Sequence, residues 1–191
     1  MQTTTRAGAP ARGGAPIQAA TGRRERRDGQ DWLVYERRIH CSAEELWAAW
    51  TEPEVLARWV GRSEQGKLDG PSDFYFTFEG DDLLPMTYTL EHVEAGRSIG
   101  VSTKNPGDEH AWRLEIDLLH DADVMVLRVA QAVANAAVAP SIATGWEYYL
   151  DRLVALLEGG TVSELDYDEY FLGQAEHYRG MFPVQPGRTV V

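Results

Sequence analysis

Residues 32–59 read WLVYERRIHCSAEELWAAWTEPEVLARW, and the change of period inside this stretch decides the fold. Its first part alternates Trp32 and Val34 against Leu33 and Tyr35, rich in aromatic and β-branched residues, which predicts a strand. At Ser42-Ala43-Glu44-Glu45 the period changes. A serine hydroxyl there can accept from the backbone N–H of Glu45 while the Glu45 carboxylate reaches back, a reciprocal capping box that predicts a helix from Ala43 to Trp50. Ala43, Leu46, Trp47 and Trp50 recur at helical spacing along it. Thr51-Glu52-Pro53-Glu54 repeats the start signal with proline in the tolerant first turn, so a second short helix is expected from Glu52 to Trp59 after a sharp break.

Beyond Gly61 the period returns to two. DFYFTFE (73–79), PMTYTLEHVE (85–94), RSIGVSTK (97–104), AWRLEIDLL (111–119) and VMVLRVAQ (124–131) are strand-like runs separated by Gly, Pro, Asn and Asp. Consecutive strands with short turns predict an antiparallel meander, as opposed to alternating βα units. The stretch 140–160, PSIATGWEYYLDRLVALLEGG, then carries Trp146, Leu150, Leu153 and Leu157 on one helical face. Ser141 is the expected cap and Gly159-Gly160 the stop, giving a helix ~25 Å long that can cross a small sheet. Glu147, Asp151 and Glu158 fall off its apolar stripe. The fold class is therefore α+β.

Residues 1–30 are Gly, Ala, Pro, Thr and Arg with one large aliphatic, Ile17, and are expected to be a disordered basic arm. The arm holds six arginines against Glu25 and Asp28, a net +4, whereas residues 31–191 hold 12 basic and 28 acidic residues, a net −16. A body this acidic repels phosphate backbones, which argues against specific nucleic-acid binding. With 43% hydrophobic and 25% charged residues in 191, the composition is that of one globular domain with extra polar chain. The longest apolar runs fall short of a membrane span, and the N-terminus lacks the apolar core of a secretory signal, so a cytoplasmic protein is expected. After Gly160 an acidic extension, 161–191, carries Leu165, Tyr167, Tyr170, Phe171, Leu172, Tyr178, Met181 and Phe182. That aromatic density predicts a docked helix near Asp168 to Arg179, either covering a pocket mouth or making a homodimer contact.

Strand, two short helices, meander and long C-terminal helix, in that order, resemble the helix-grip fold of the START/Bet v 1-type (SRPBCC) superfamily. More narrowly, Arg38 to Trp59 (RIHCSAEELWAAWTEPEVLARW) and Gly145 to Leu157 (GWEYYLDRLVALL) resemble the opening and closing motifs of the branch named for the C-terminal domain of the Hsp90 ATPase activator homologue. The resemblance covers about residues 31 to 158. It implies a curved antiparallel sheet wrapped around the C-terminal helix within a domain spanning 31–160, and an apolar cavity between the two. Its candidate lining is Trp146, Tyr149, Leu150 and Leu153 from the helix, with Trp59, Tyr88, His92, Trp112, Leu114 and Arg128 from the sheet side or rim. For any single one of these aromatic and aliphatic residues, plain core packing is the simpler reading.

Motifs for chemistry are sparse. The single Cys41 excludes an internal disulfide and a multi-cysteine zinc cage, and the histidines show no ligand spacing, so neither a metal nor another cofactor is expected. Cys41 precedes a helix start, where a thiol can be activated, but an inert buried thiol is the plainer reading. Arg128 in VMVLRVA must be paired or reach a rim: it anchors an acidic ligand or bridges to Glu115 or Asp117. His92 follows Tyr88 and Leu90 at strand spacing and so is expected on their face, where it could act as acid or base. The leading expectation is non-catalytic binding of a small hydrophobic or amphipathic molecule. The alternatives are a polyketide cyclase- or dehydratase-like enzyme using the same cavity, and a co-chaperone-like interaction module, for which a chaperone partner is disfavoured because the chain has room for one domain only.

Overall fold

The computed structural model describes residues 19–63, 72–76, 85–103 and 113–184. Eight strands form one antiparallel sheet in the order β1-β2-β8-β7-β6-β5-β4-β3. In chain order these are β1 (Arg23–Arg27), β2 (Gln30–Ile39), β3 (Gly61–Ser63), β4 (Ser72–Phe76), β5 (Met86–Glu94), β6 (Ser98–Thr103), β7 (Arg113–Asp121) and β8 (Val124–Val133). The helices are α1 (Ala43–Thr51), α2 (Pro53–Trp59), α3 (Ala139–Leu157) and α4 (Tyr167–Met181). The chain is thus an α+β helix-grip fold: the meander β3 to β8 closes back onto β2, and the sheet curves around α3.

Local chemistry sets most element ends. Both halves of the capping box at α1 form, with Glu45 N donating to Ser42 Oγ at 3.1 Å and Ser42 N donating to the Glu45 carboxylate at 2.8 Å. Pro53 occupies the first turn of α2. At α3 the start differs from expectation: the helix begins two residues ahead of Ser141, at Ala139, with Val138 as its cap residue and Pro140 in the first turn. A proline that needs no backbone N–H partner there explains the shift.

The stretch read as a disordered arm also contains structure, since Arg23–Arg27 pairs along β2. The hairpin turns at Asp28 (φ 49°) and Gly29 (φ 81°), the two left-handed positions of a tight two-residue turn.

Alternation along β2 puts Leu33, Tyr35 and Ile39 into the main core with α3, while Trp32 and Val34 pack with Ala130 on the opposite face of the sheet. That outer cluster is covered by charge: the Arg27 guanidinium lies 4.7 Å from the Trp32 ring centre. α4 lies where the extension was expected to form a helix, capped by the Asp166 side chain on Asp168 N at 2.9 Å.

Candidate functional site

A cavity opens between the concave face of the sheet and the helices. Trp50 of α1, Leu56 of α2, Val60 and Trp146 of α3 form its helical wall. Phe74 and Phe76 of β4, Met86 and Tyr88 of β5, Ile99 and Val101 of β6, and Leu114 and Ile116 of β7 form its sheet wall. The cavity is partly open to solvent, and the centre of a water molecule can move through ≈ 90 Å³ of it. That is several times the ~10–15 Å³ needed to admit a single water.

The wall is apolar because its polar atoms are turned elsewhere. Trp146 Nε1 donates to Gln131 Oε1 at 2.5 Å. The Tyr88 hydroxyl lies 3.4 Å from Ser63 Oγ, which is itself 2.6 Å from Ser72 Oγ. Trp50 Nε1 is closed off from solvent and has no hydrogen-bond partner among the described residues, its ring standing edge-on to Trp59 at 4.9 Å.

Of the residues the sequence nominates, Tyr88, Leu114 and Trp146 line this space together. Trp59 lies behind Trp50, fully buried, with Nε1 donating to the Ala49 carbonyl at 2.8 Å. Leu150 and Leu153 are fully buried in the core. Tyr149 is buried with its ring 5.5 Å from that of Phe76. Trp112 lies outside the described residues.

His92 and Arg128 stand on the outer face. For His92 the reason is a β-bulge: the β5–β6 register shifts between Leu90 and His92, so His92 pairs with Gly100 and loses the face of Tyr88. The imidazole is exposed and covers Gly100, where an added Cβ would strike it. Arg128 alternates with the inward Leu127 and Val129 and meets Glu25 of β1 at 3.2 Å and Asp117 at 3.9 Å.

The remaining lining residues carry a readable signal in part. Phe74 with Phe76, and Leu114 with Ile116, share a face by strand alternation, and Trp50 lies on the apolar stripe of α1. Which of several aromatic stripes borders empty space depends on sheet curvature, which no local pattern encodes.

A second polar feature lies on the other side of α3. Glu147, only 1% exposed, accepts from Thr21 N (2.5 Å), Thr21 Oγ1 (2.9 Å), Gly22 N (2.9 Å), Arg37 Nη2 (2.6 Å) and the Tyr178 hydroxyl. Asp151, one turn on, accepts from the same Arg37 (3.0 Å) and from the Tyr170 hydroxyl (2.8 Å). Burial pushes Glu147 up, but Arg37, the Tyr178 hydroxyl and the Thr21 N–H outweigh it and hold the carboxyl below its ordinary value. With fewer donors, Asp151 is lifted above its ordinary value by burial despite Arg37 and Tyr170. Burial and the neighbouring carboxylates raise Tyr170 and Tyr178 well above the usual phenol range. Burial likewise pushes the Cys41 thiol up, with Glu45 and Glu158 adding to it, which is opposite to activation.

Among the described residues there is no group of three or more His, Cys, Asp or Glu able to hold a metal ion, and no helix long and apolar enough to cross a membrane. No residue of α4 lines the cavity among the described residues; the helix packs against the far side of α3 through Tyr170 and Tyr178.

A sheet gripping a long helix, with an apolar space between them, defines the class: a helix-grip domain of the START/Bet v 1 type. Residues 40–158 match the family model described as Activator of Hsp90 ATPase homolog 1-like protein, and the chain belongs to that family. Its fold is similar to the crystal structure of CalU16 from Micromonospora echinospora, with TM-score 0.66 and 19% identity over 86% of this chain and 97% of that one. It is also similar to EF2215 from Enterococcus faecalis, a conserved protein of unknown function, with TM-score 0.62 and 18% identity over 84% and 91% of the two chains. DynU16, from the dynemicin biosynthetic locus, aligns with TM-score 0.59 and 20% identity over 69% of this chain and 49% of that one. None of the curated proteins matches the chain.

Proposed function

We propose that the protein binds a small hydrophobic or amphipathic molecule in the cavity between sheet and α3, without transforming it. The observation that carries this reading is the partly open, carbon-lined space bounded by Trp50, Trp146, Phe76, Tyr88 and Ile116. Concave apolar sites with few polar groups are the usual form of small-molecule pockets. A catalytic reading needs an acid, base or nucleophile on the wall. His92, nominated as an acid or base, stands on the outer face, as does Arg128, nominated as a ligand anchor, so the geometry supports holding a molecule better than reacting with it. Family membership and the likeness to CalU16 and DynU16 favour the same scaffold use but do not name a ligand. A cytoplasmic location goes with this reading.

Native mass spectrometry of freshly purified protein, with denaturing extraction of whatever is carried along, tests it. The expected result is a defined small molecule, or thermal stabilisation by apolar compounds, that is lost in Trp146→Ala while the fold persists. A clean unliganded mass with no stabilisation by any apolar compound would overturn the proposal and turn the search to a protein partner.

A further inference from the structure

Resting on the binding proposal above, we infer that the cavity selects an uncharged ligand with a flat aromatic body, whose polar substituents stay at the mouth. Aromatic rings face the space from both sides. Trp50 and Trp146 on the helical wall stand 6.3 Å apart with planes tilted by 32°. On the sheet wall Phe74 meets Phe76 at 5.1 Å and Tyr88 at 6.4 Å, both nearly perpendicular. These walls present both ring faces and ring edges, so a flat aromatic guest gains edge and offset-stacking contacts that a saturated one of the same size does not.

Charge is excluded by the same wall. The Trp146 N–H is taken by Gln131, the Tyr88 hydroxyl sits beside Ser63, and the Trp50 N–H is closed off from solvent, so none is offered to the space. Two guanidiniums lie close to α3 and neither lines the space: Arg37 is held by Glu147 and Asp151, and Arg152 donates to the Trp59 and Val162 carbonyls and the Tyr148 hydroxyl. A carboxylate drawn inside would lose its hydration with no cation among the described lining residues to meet it, and the chain's net charge of −12 repels it beforehand. An ammonium, though drawn to the acidic chain, would lose the same hydration inside, where ring faces are what the described wall offers it.

The test uses the full chain and four probes sharing one carbon skeleton: 1-naphthol, decahydro-1-naphthol, 1-naphthoate and 1-naphthyltrimethylammonium, titrated by calorimetry or tryptophan quenching. The inference expects 1-naphthol to bind at least threefold tighter than its saturated analogue and at least tenfold tighter than either charged probe. Phe76→Leu, at a partly exposed position, is expected to bring the naphthol to decahydronaphthol ratio down towards one. Smaller margins, an unchanged ratio in Phe76→Leu, or tighter binding of a charged probe would each overturn the ligand class while leaving the cavity a binding site. Failure of all four probes to bind the folded chain would overturn both.

Discussion

Arg37 Nη2 on β2 lies 2.6 Å from the Glu147 carboxylate on α3, across 110 residues of sequence, and the same carboxylate receives the Tyr178 hydroxyl from α4. One buried anion therefore ties together the sheet, the gripped helix, the C-terminal extension and, through Thr21 and Gly22, the chain entering β1.

Removing the anion leaves Arg37 buried with one of its two carboxylate partners, Asp151. Glu147→Ala is expected to cost about 3–5 kcal/mol, and Tyr178→Phe about 1.5–3 kcal/mol, in urea unfolding. The double variant should cost less than the two together, because both act on one network. A Glu147→Ala loss below about 1 kcal/mol would show that the cluster does not hold the extension in place.

The pH dependence has opposite signs at the two carboxylates. Glu147 is depressed in the folded state, so its contribution is present above its ordinary value of 4.5 and lost as pH falls through the lowered folded value. Asp151 is raised, so its favourable contribution exists in acid, below 3.8, and is lost as pH rises through the raised folded value. Glu147→Gln should therefore flatten the acid limb of the stability curve and Asp151→Asn should steepen it. Tyr178 is raised as well, so stability should fall above pH ~10 as unfolded tyrosines ionise, and Tyr178→Phe should lessen that alkaline loss. Urea midpoints taken from pH 3 to 11 read all three.

Gly22 has no room for a side chain. A Cβ there would lie 2.6 Å from the Tyr35 ring and 2.7 Å from the Tyr178 hydroxyl, both anchored in the buried cluster. Gly22→Ala should destabilise by about 1–3 kcal/mol through overpacking. It should also loosen α4, read as faster hydrogen exchange over residues 167–181; unchanged exchange there would count against the coupling.

Deleting residues 1–28 removes β1, and with it the cover over Trp32 and two of the segments' backbone donors to Glu147. Trp32 emission should shift to the red, and the midpoint of unfolding should fall. A deletion of residues 1–18 supplies the comparison, since β1 and the donors at Thr21 and Gly22 remain in it. Equal stability of the two truncated chains would show that β1 adds nothing.

His92 serves as the negative control for the cavity. Because it stands on the outer face, His92→Ala should leave 1-naphthol affinity within about twofold, whereas Ile116→Trp, which fills the space from β7, should weaken it by at least tenfold. Loss of binding in His92→Ala alone would place the site on the other face of the sheet.

Elements whose signals are local were legible without coordinates. The capping box at Ser42 and Glu45, Pro53 at the head of α2, the alternation Leu114, Ile116, Leu118 and the +4, +3 stripe of α3 each act within one or two turns of chain, so composition and spacing report them. The β1 hairpin also had a local signal in Asp28-Gly29, masked by the arginine-rich composition around it. Trp146, Tyr88 and Leu114 could be named as candidate lining because the resemblance to the helix-grip family implies a cavity between the sheet and the C-terminal helix.

What only the tertiary structure decided are matters of register and closure. A single extra residue at the bulge between Leu90 and His92 reverses the face of His92, and strand periodicity carries no trace of it. Arg128 finds Glu25 only because β1 pairs along β2 at the sheet edge, and Glu147 is buried only because Tyr178 and Thr21 arrive from opposite ends of the chain. A lone glutamate off an apolar stripe reads as solvent-facing; its burial becomes affordable once five donors converge on it, and that convergence is a property of packing, which is non-local by nature.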